Sequence, residues 1–318
     1  MVSIFLGKIM DINKQLTDYD RIQLTRKAYD ELELGEQVKV GKFHIGTVVK
    51  SVYAEDGMRA FVIANSNEIT ILFKGSYGFV RGNPQTWRDE WLRTNLPILL
   101  ALLIRERKIP SQLKTAADFL NKTIHQFPHA HVYIYGHSLG SINAQYALAN
   151  CRHPERIITV YLYEGTNIWL LLNQKQRSRV AKIRSKIFNY VDIYDPVTLG
   201  ITATHHMVGK LQYVDSVPLN NPIKQHIWGG YQFDKNGNLK LRKIDEAFLT
   251  ESQNEHKLLT KSNDLANLVE RMGQKNEFKK LAEEKFHTLR NKFPDHKGWG
   301  KLSGLFDNTS FMKDKDDE

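Results

Sequence analysis

The 318-residue chain holds one cysteine, Cys151, so no intrachain disulfide can form and nothing requires an oxidising compartment. Long hydrophobic runs are also missing. The longest, residues 96–104, falls far short of the ~20 residues that span a bilayer. Residues 2–10 are apolar but interrupted by Lys8, and they lack a basic start, so no cleavable signal peptide is expected. There is no internal repeat, no metal-ligand spacing of histidines and cysteines, and no glycine-rich phosphate loop. Neither a metal nor an organic cofactor is expected. These absences predict a soluble chain that is cytoplasmic, or that is secreted by a route reading no cleavable signal.

A hydrophobic fraction of 41% and a charged fraction of 25% are ordinary for a globular protein, and the length allows one or two domains. The net charge of +10 is unevenly spread. Residues 246–318 carry 13 lysines and arginines against 14 acids, which leaves 32 against 21 in residues 1–245. A basic body is attracted to an anionic membrane surface. Charge alone would attract nucleic acid equally, but no nucleic-acid-binding motif accompanies it and no such partner is expected.

Apolar spacing predicts an opening helix over residues 16–34, capped by Thr17 or Asp18 and stopped at Gly35. Strands follow at 43–53, 59–64 and 69–74, the first two joined by an Asp56-Gly57 turn. Beyond Gly75 a helical stretch holds Trp87 and Trp91, and residues 111–127 form a second helix. Further strands are expected around Val132 and Ile134, at 157–163, at 186–191 and at 210–214, with helices at 141–150 and 173–183. Strands alternating with helices imply an α/β fold with a mostly parallel sheet covered on both faces. Past Asp245 the strand signal stops. Residues 1–245 read as one α/β domain, and 246–318 as a helical extension with a charged, disordered tail. Cys151 follows a predicted helix and reads as a packed thiol.

The chemistry centres on Gly136-His137-Ser138-Leu139-Gly140, a G-x-S-x-G turn between a predicted strand and a predicted helix. Such a turn lifts a serine hydroxyl away from the sheet, and the glycines keep side chains out of the neighbouring strand and helix. A serine nucleophile needs a base, and the base needs a carboxylate to hold its tautomer. In this architecture both lie downstream, acid before histidine. Asp195, in an Asp-Pro turn after the 186–191 strand, is the preferred acid and Asp192 its alternative. His226 is the preferred base. His205 and His206 compete, but they come before the next strand has formed. The oxyanion would meet the N–H of Leu139 and a second donor near Gly75 and Ser76.

Taken together these motifs resemble the class 3, fungal-lipase-like family of α/β-hydrolases, over roughly residues 15–235. The family's F-R-G-T/S segment appears as Phe73-Lys74-Gly75-Ser76, its G-H-S-L-G-G elbow as Gly136 to Ser141, and its acid turn as Asp195-Pro196-Val197. An Ala60-Phe61-Val62 strand matches in kind. Lys74 replaces the usual arginine and Ser141 the second glycine. The resemblance implies an α/β-hydrolase fold with a Ser138–Asp195–His226 triad. It places Ser76 and Leu139 in the oxyanion hole, and it makes residues 77–95 a lid whose Trp87 and Trp91 touch lipid. The implied activity is hydrolysis of lipid acyl esters, lipase- or phospholipase-like, with no cofactor. A small-ester esterase or thioesterase and a non-catalytic lipid- or partner-binding protein are the alternatives. Lacking disulfides, the chain looks more like bacterial members, some of which are type VII-secreted lipase toxins. In that setting residues 246–318 would bind a secretion partner or chaperone.

Overall fold

Runs of β-branched and aromatic residues join into one eight-stranded sheet in the computed structural model, which describes residues 10–75, 109–192, 194–195, 206–221, 224–244 and 246. The strands are β1 (Gln37–Val40), β2 (Phe43–Tyr53), β3 (Arg59–Ala64), β4 (Glu68–Phe73), β5 (His131–His137), β6 (Ile157–Tyr163), β7 (Ile187–Val191) and β8 (Lys210–Tyr213). Their order in space is their order in sequence. β1 to β4 form an antiparallel meander. From β4 to β8 every pairing is parallel, so the sheet is mostly parallel. The expected strands fall within a residue or so of these bounds. The edge strand β1 was not expected: four alternating residues are too few to declare a period by themselves.

Sequential parallel strands joined by right-handed crossovers place the connecting helices on one face. These are α3 (Ser111–Gln126), α4 (Leu139–Ala149) and α5 (Gln174–Lys182), preceded in the chain by α1 (Ile12–Gln15) and α2 (Asp18–Lys27). β5 shows how the period of two divides the core. Val132 and Ile134 pack with Leu113, Leu120, Ile142 and Val180. Tyr133 and Tyr135 point the other way, toward Ile22 and Leu24 of α2. On that second face the aromatics stack across strands, Tyr135 on Tyr161 at 5.1 Å and Tyr163 on Tyr190 at 4.9 Å. All eleven residues of α4 are buried, which accounts for its having no charged face.

The opening helix is shorter than expected. It begins at Asp18 under a capping box between Thr17 and Asp20 and ends at Lys27, and the short α1 before it was not expected. The cap contributes about 1 kcal/mol. The early end is a tertiary effect, because Tyr29 and Leu32 must leave the helical path to enter the core. The stretch holding Trp87 and Trp91, and the extension 246–318 apart from residue 246, lie outside the described residues. Among the described residues no helix is long and apolar enough to cross a membrane.

Candidate active site

The site forms at the carboxyl ends of β5, β6 and β7. Ser138 follows β5 and precedes α4 with φ 56° and ψ −126°, a backbone state that non-glycine residues rarely adopt and that costs about 1–3 kcal/mol. Its amide donates to the carbonyl of Tyr163 at 2.9 Å, and its own carbonyl accepts from Ser141 at 3.0 Å. Both flanking glycines are sterically required. A Cβ on Gly136 would come within 2.6 Å of the Gly140 carbonyl oxygen, and a Cβ on Gly140 within 2.1 Å of the Phe73 carbonyl oxygen. The second contact also seats the start of α4 against the end of β4. Ser138 Oγ is buried and makes no hydrogen bond among the described residues.

Asp195 and His226 meet directly. His226 Nδ1 donates to Asp195 Oδ2 at 2.6 Å, with the two side chains 1% and 0% exposed. That bond places the imidazole's exchangeable acceptor at Nε2. His226 lies in a single π-type turn, Gln225–Gly229, where Trp228 has φ 65°. Such a turn has no sequence period, and three further contacts hold it. Arg26 of α2 donates to the Ile227 carbonyl at 3.0 Å. Trp228 stacks on His137 with ring centres 4.0 Å apart. His137 Nε2 donates to the carbonyl of His226 itself at 2.8 Å.

The sequence pattern makes His137 only the variable residue of the G-x-S-x-G turn. The structure makes it the bridge between the strand that leads into Ser138 and the segment that carries His226. Because its Nε2 donates to a carbonyl, its Nδ1 accepts from the Tyr29 hydroxyl at 2.5 Å. Burial, with His226 nearby, holds the His137 imidazole well below its ordinary range and therefore neutral. The sequence offered no sign of Tyr29, whose place in the site comes from the end of α2.

Asp192, the alternative acid, serves a different set of partners. Its carboxylate accepts from the Tyr194 amide at 2.8 Å, Ser216 Oγ at 2.6 Å and Gln225 Nε2 at 2.5 Å. Its carbonyl accepts from the Asp195 amide at 3.1 Å. Asp192 thereby ties the turn carrying Asp195 to the segment carrying His226. Burial pushes its carboxyl up to about 6 despite these donors.

Leu139 is the first residue of α4, and its N–H lies at the positive end of the helix. Ser76, Trp87, Trp91, His205, Pro196 and Val197 lie outside the described residues. His206 is exposed, with its ring 5.9 Å from that of Trp169. Among the described residues no group of three or more histidines, cysteines and acids could hold a metal ion.

The strand–serine–helix elbow on a mostly parallel sheet defines an α/β-hydrolase type of fold. Residues 102–192, less than half of the chain, match the protein-family model described as Mbeg1-like. No curated protein matches the chain. Among solved structures the chain is similar to the lipase of Rhizomucor miehei in its propeptide complex, with 14% identity, 61% of this chain and 66% of that one covered, and a TM-score of 0.37. The chain thus spans just under two thirds of that lipase. It is similar to a triacylglycerol lipase from Penicillium expansum at 15% identity, covering 62% of this chain and 78% of that one, with a TM-score of 0.37. For the lipase of Rhizopus microsporus var. chinensis the values are 13%, 65%, 75% and 0.40.

Proposed function

We propose that the protein is a serine carboxylic-ester hydrolase, lipase- or phospholipase-like, that cleaves acyl esters of lipids. The observation that carries this is the buried 2.6 Å bond between His226 and Asp195, tied through His137 to the elbow that presents Ser138. In the reaction Ser138 Oγ attacks the acyl carbonyl carbon as His226 Nε2 takes its proton. Asp195 stabilises the imidazolium, and the amides of Leu139 and Ser76 receive the oxyanion. Collapse breaks the carbonyl–alkoxide bond, and the departing alcohol takes the proton from His226. Water, deprotonated by the same nitrogen, then releases the fatty acid and restores Ser138. A lipid substrate is favoured by the basic residues 1–245 and by Trp87 and Trp91 in the segment after Ser76.

The test is fluorophosphonate labelling of the wild type and Ser138→Ala, followed by assays on glycerides, phospholipid vesicles and a short soluble ester. Labelling and hydrolysis in the wild type, both lost in Ser138→Ala, are expected, with faster turnover on micelles or vesicles than on monomer. Equal rates on monomer and micelle would make it a small-ester esterase or thioesterase. A wild type that binds lipid but never labels would be a non-catalytic binding protein.

A further inference from the structure

Glu164 takes no part in the proposed reaction, yet it stands where the three segments that perform it converge. It is the residue after β6, the strand between the nucleophile's β5 and the acid's β7. Its amide donates to the Tyr190 carbonyl of β7 at 3.1 Å. One carboxyl oxygen accepts the Asp192 amide at 3.0 Å, and the other pairs with the hydroxyl of Tyr231, just past the turn that carries His226. The side chain is fully buried, and the backbone has φ 49°. A glutamate holds that left-handed state only where surrounding contacts over-determine it.

The charges around Glu164 are one-sided. Facing it are Asp192 and Asp195 from the end of β7 and Tyr231 from beyond the His226 turn, and none of its partners among the described residues is a lysine or arginine. The imidazole of His226 is matched by Asp195. Among the described residues, an ionised Glu164 would be a buried anion beside two others with no lysine or arginine as hydrogen-bond partner. Burial and the two aspartates push its carboxyl well above the ordinary range. The oxygen toward Asp192 accepts an N–H; an ionised Glu164 accepts the Tyr231 O–H at its other oxygen, whereas a protonated one donates from that oxygen to the Tyr231 hydroxyl.

We infer that Glu164 is a positioning residue that works as a neutral acid, bridging Asp192 to Tyr231 so that the acid turn and the base segment keep the register in which Asp195 meets His226. This rests on the hydrolase reading for its consequence, though not for its protonation state. The test uses the full chain and reads the rate of fluorophosphonate labelling at Ser138 against pH. Glu164→Ala removes both contacts and leaves the Asp192 amide buried without its acceptor, and it is expected to slow labelling at least about tenfold. Glu164→Gln matches the neutral acid in shape and charge. It should recover most of that loss and keep the acid limb of the rate profile within about 0.3 pH unit of wild type. A limb displaced downward by about one unit in Glu164→Gln would mean a negative charge had been removed, and would overturn the neutral state. Labelling by Glu164→Ala at the wild-type rate would overturn the positioning role.

Should Glu164→Ala fail to fold, carbon-13 carboxyl NMR of glutamate-labelled protein decides, the Glu164 signal being the one missing from Glu164→Gln. A protonated-carboxyl shift at pH 7 supports the inference, and a carboxylate shift overturns it. A wild type that never labels would sink the hydrolase reading while leaving this NMR result standing.

Discussion

Replacing Asp195 by asparagine separates the two aspartates that compete for the acid role. Asp195 receives His226 Nδ1–H at 2.6 Å in a dry setting, with both side chains at or below 1% exposure. An asparagine amide turned with its NH2 toward the ring would force Nδ1 to accept, leaving the proton on Nε2, where it cannot take one from Ser138. Turned the other way it preserves the tautomer but offers no charge to the imidazolium. Two unit charges about 4 Å apart at an effective dielectric of 20 attract by about 4 kcal/mol, which corresponds to nearly a thousandfold in rate. Loss of the correct tautomer adds to this, so kcat should fall by about 10³–10⁴. The assay is hydrolysis of a chromogenic ester beside Asp192→Asn, with circular dichroism to verify folding. Asp192→Asn retains acceptors for Tyr194 and Ser216 and sets an NH2 against Gln225 Nε2, so a loss of about 10- to 100-fold is expected. If Asp195→Asn stays within tenfold of wild type while Asp192→Asn is crippled, the acid has been misassigned.

Three further outcomes follow from the surroundings of the site. His137→Phe retains a ring against Trp228 but leaves the His226 carbonyl and the Tyr29 hydroxyl buried without their partner. Stability should fall by about 2–4 kcal/mol, and a thermal melt within 2 °C of wild type (on the order of 0.5–1 kcal/mol) would refute the bridge. Asp192 has a native carboxyl pushed up to about 6 from an ordinary 3.8. The native state therefore holds this proton to higher pH than the unfolded chain does, and the stability it lends below about pH 4 is lost as pH rises through about 6. Wild-type stability relative to Asp192→Asn should thus drop by up to about 3 kcal/mol between pH 4 and pH 7. Denaturant titrations at the two pH values read this, and a flat or rising difference contradicts it. Cys151 is buried and its thiol is pushed up to about 11 by burial, so a disulfide reagent should react only after denaturant is added. Rapid reaction of the native protein would show the thiol to be accessible.

What was legible in the sequence is what short-range sterics and periodicity record. The elbow shows because two backbone approaches exclude any side chain at Gly136 and Gly140, which writes a five-residue signature. The strands on either side of it show because apolar residues alternate or run unbroken through a buried sheet. The opening helix was overextended because residues 28–34 continue an apolar rhythm, whereas Tyr29 turns inward to meet His137, 108 positions away. Contacts of that kind hold the site and leave no local trace. Asp192 meets Gln225 across 33 positions, and Glu164 meets Tyr231 across 67. Nothing in Gln225-His226-Ile227-Trp228 announces a π-type turn with a tryptophan in the left-handed region, a state usually left to glycine.

That turn explains why the site needs so many polar tethers. The proposed base, His226, can act only if its ring holds a fixed orientation, and it has neither a strand ladder nor a regular helix to impose one. Its orientation is set by Asp195 at Nδ1, by His137 at its own carbonyl, by Arg26 at the next carbonyl, and by Asp192 through the preceding Gln225. These tethers come from α2, β5 and the end of β7, three segments far apart in the chain. Each hydrogen bond yields about 1 kcal/mol net, while the left-handed Trp228 costs about 1–3 kcal/mol. Four such bonds supply about 4 kcal/mol against that strain, and losing two of them leaves about 2 kcal/mol, within the range of the cost itself. His226 is therefore placed by the cooperation of distant segments. Damage to one of those segments, even with Ser138, Asp195 and His226 intact, should lower the rate before it unfolds the protein.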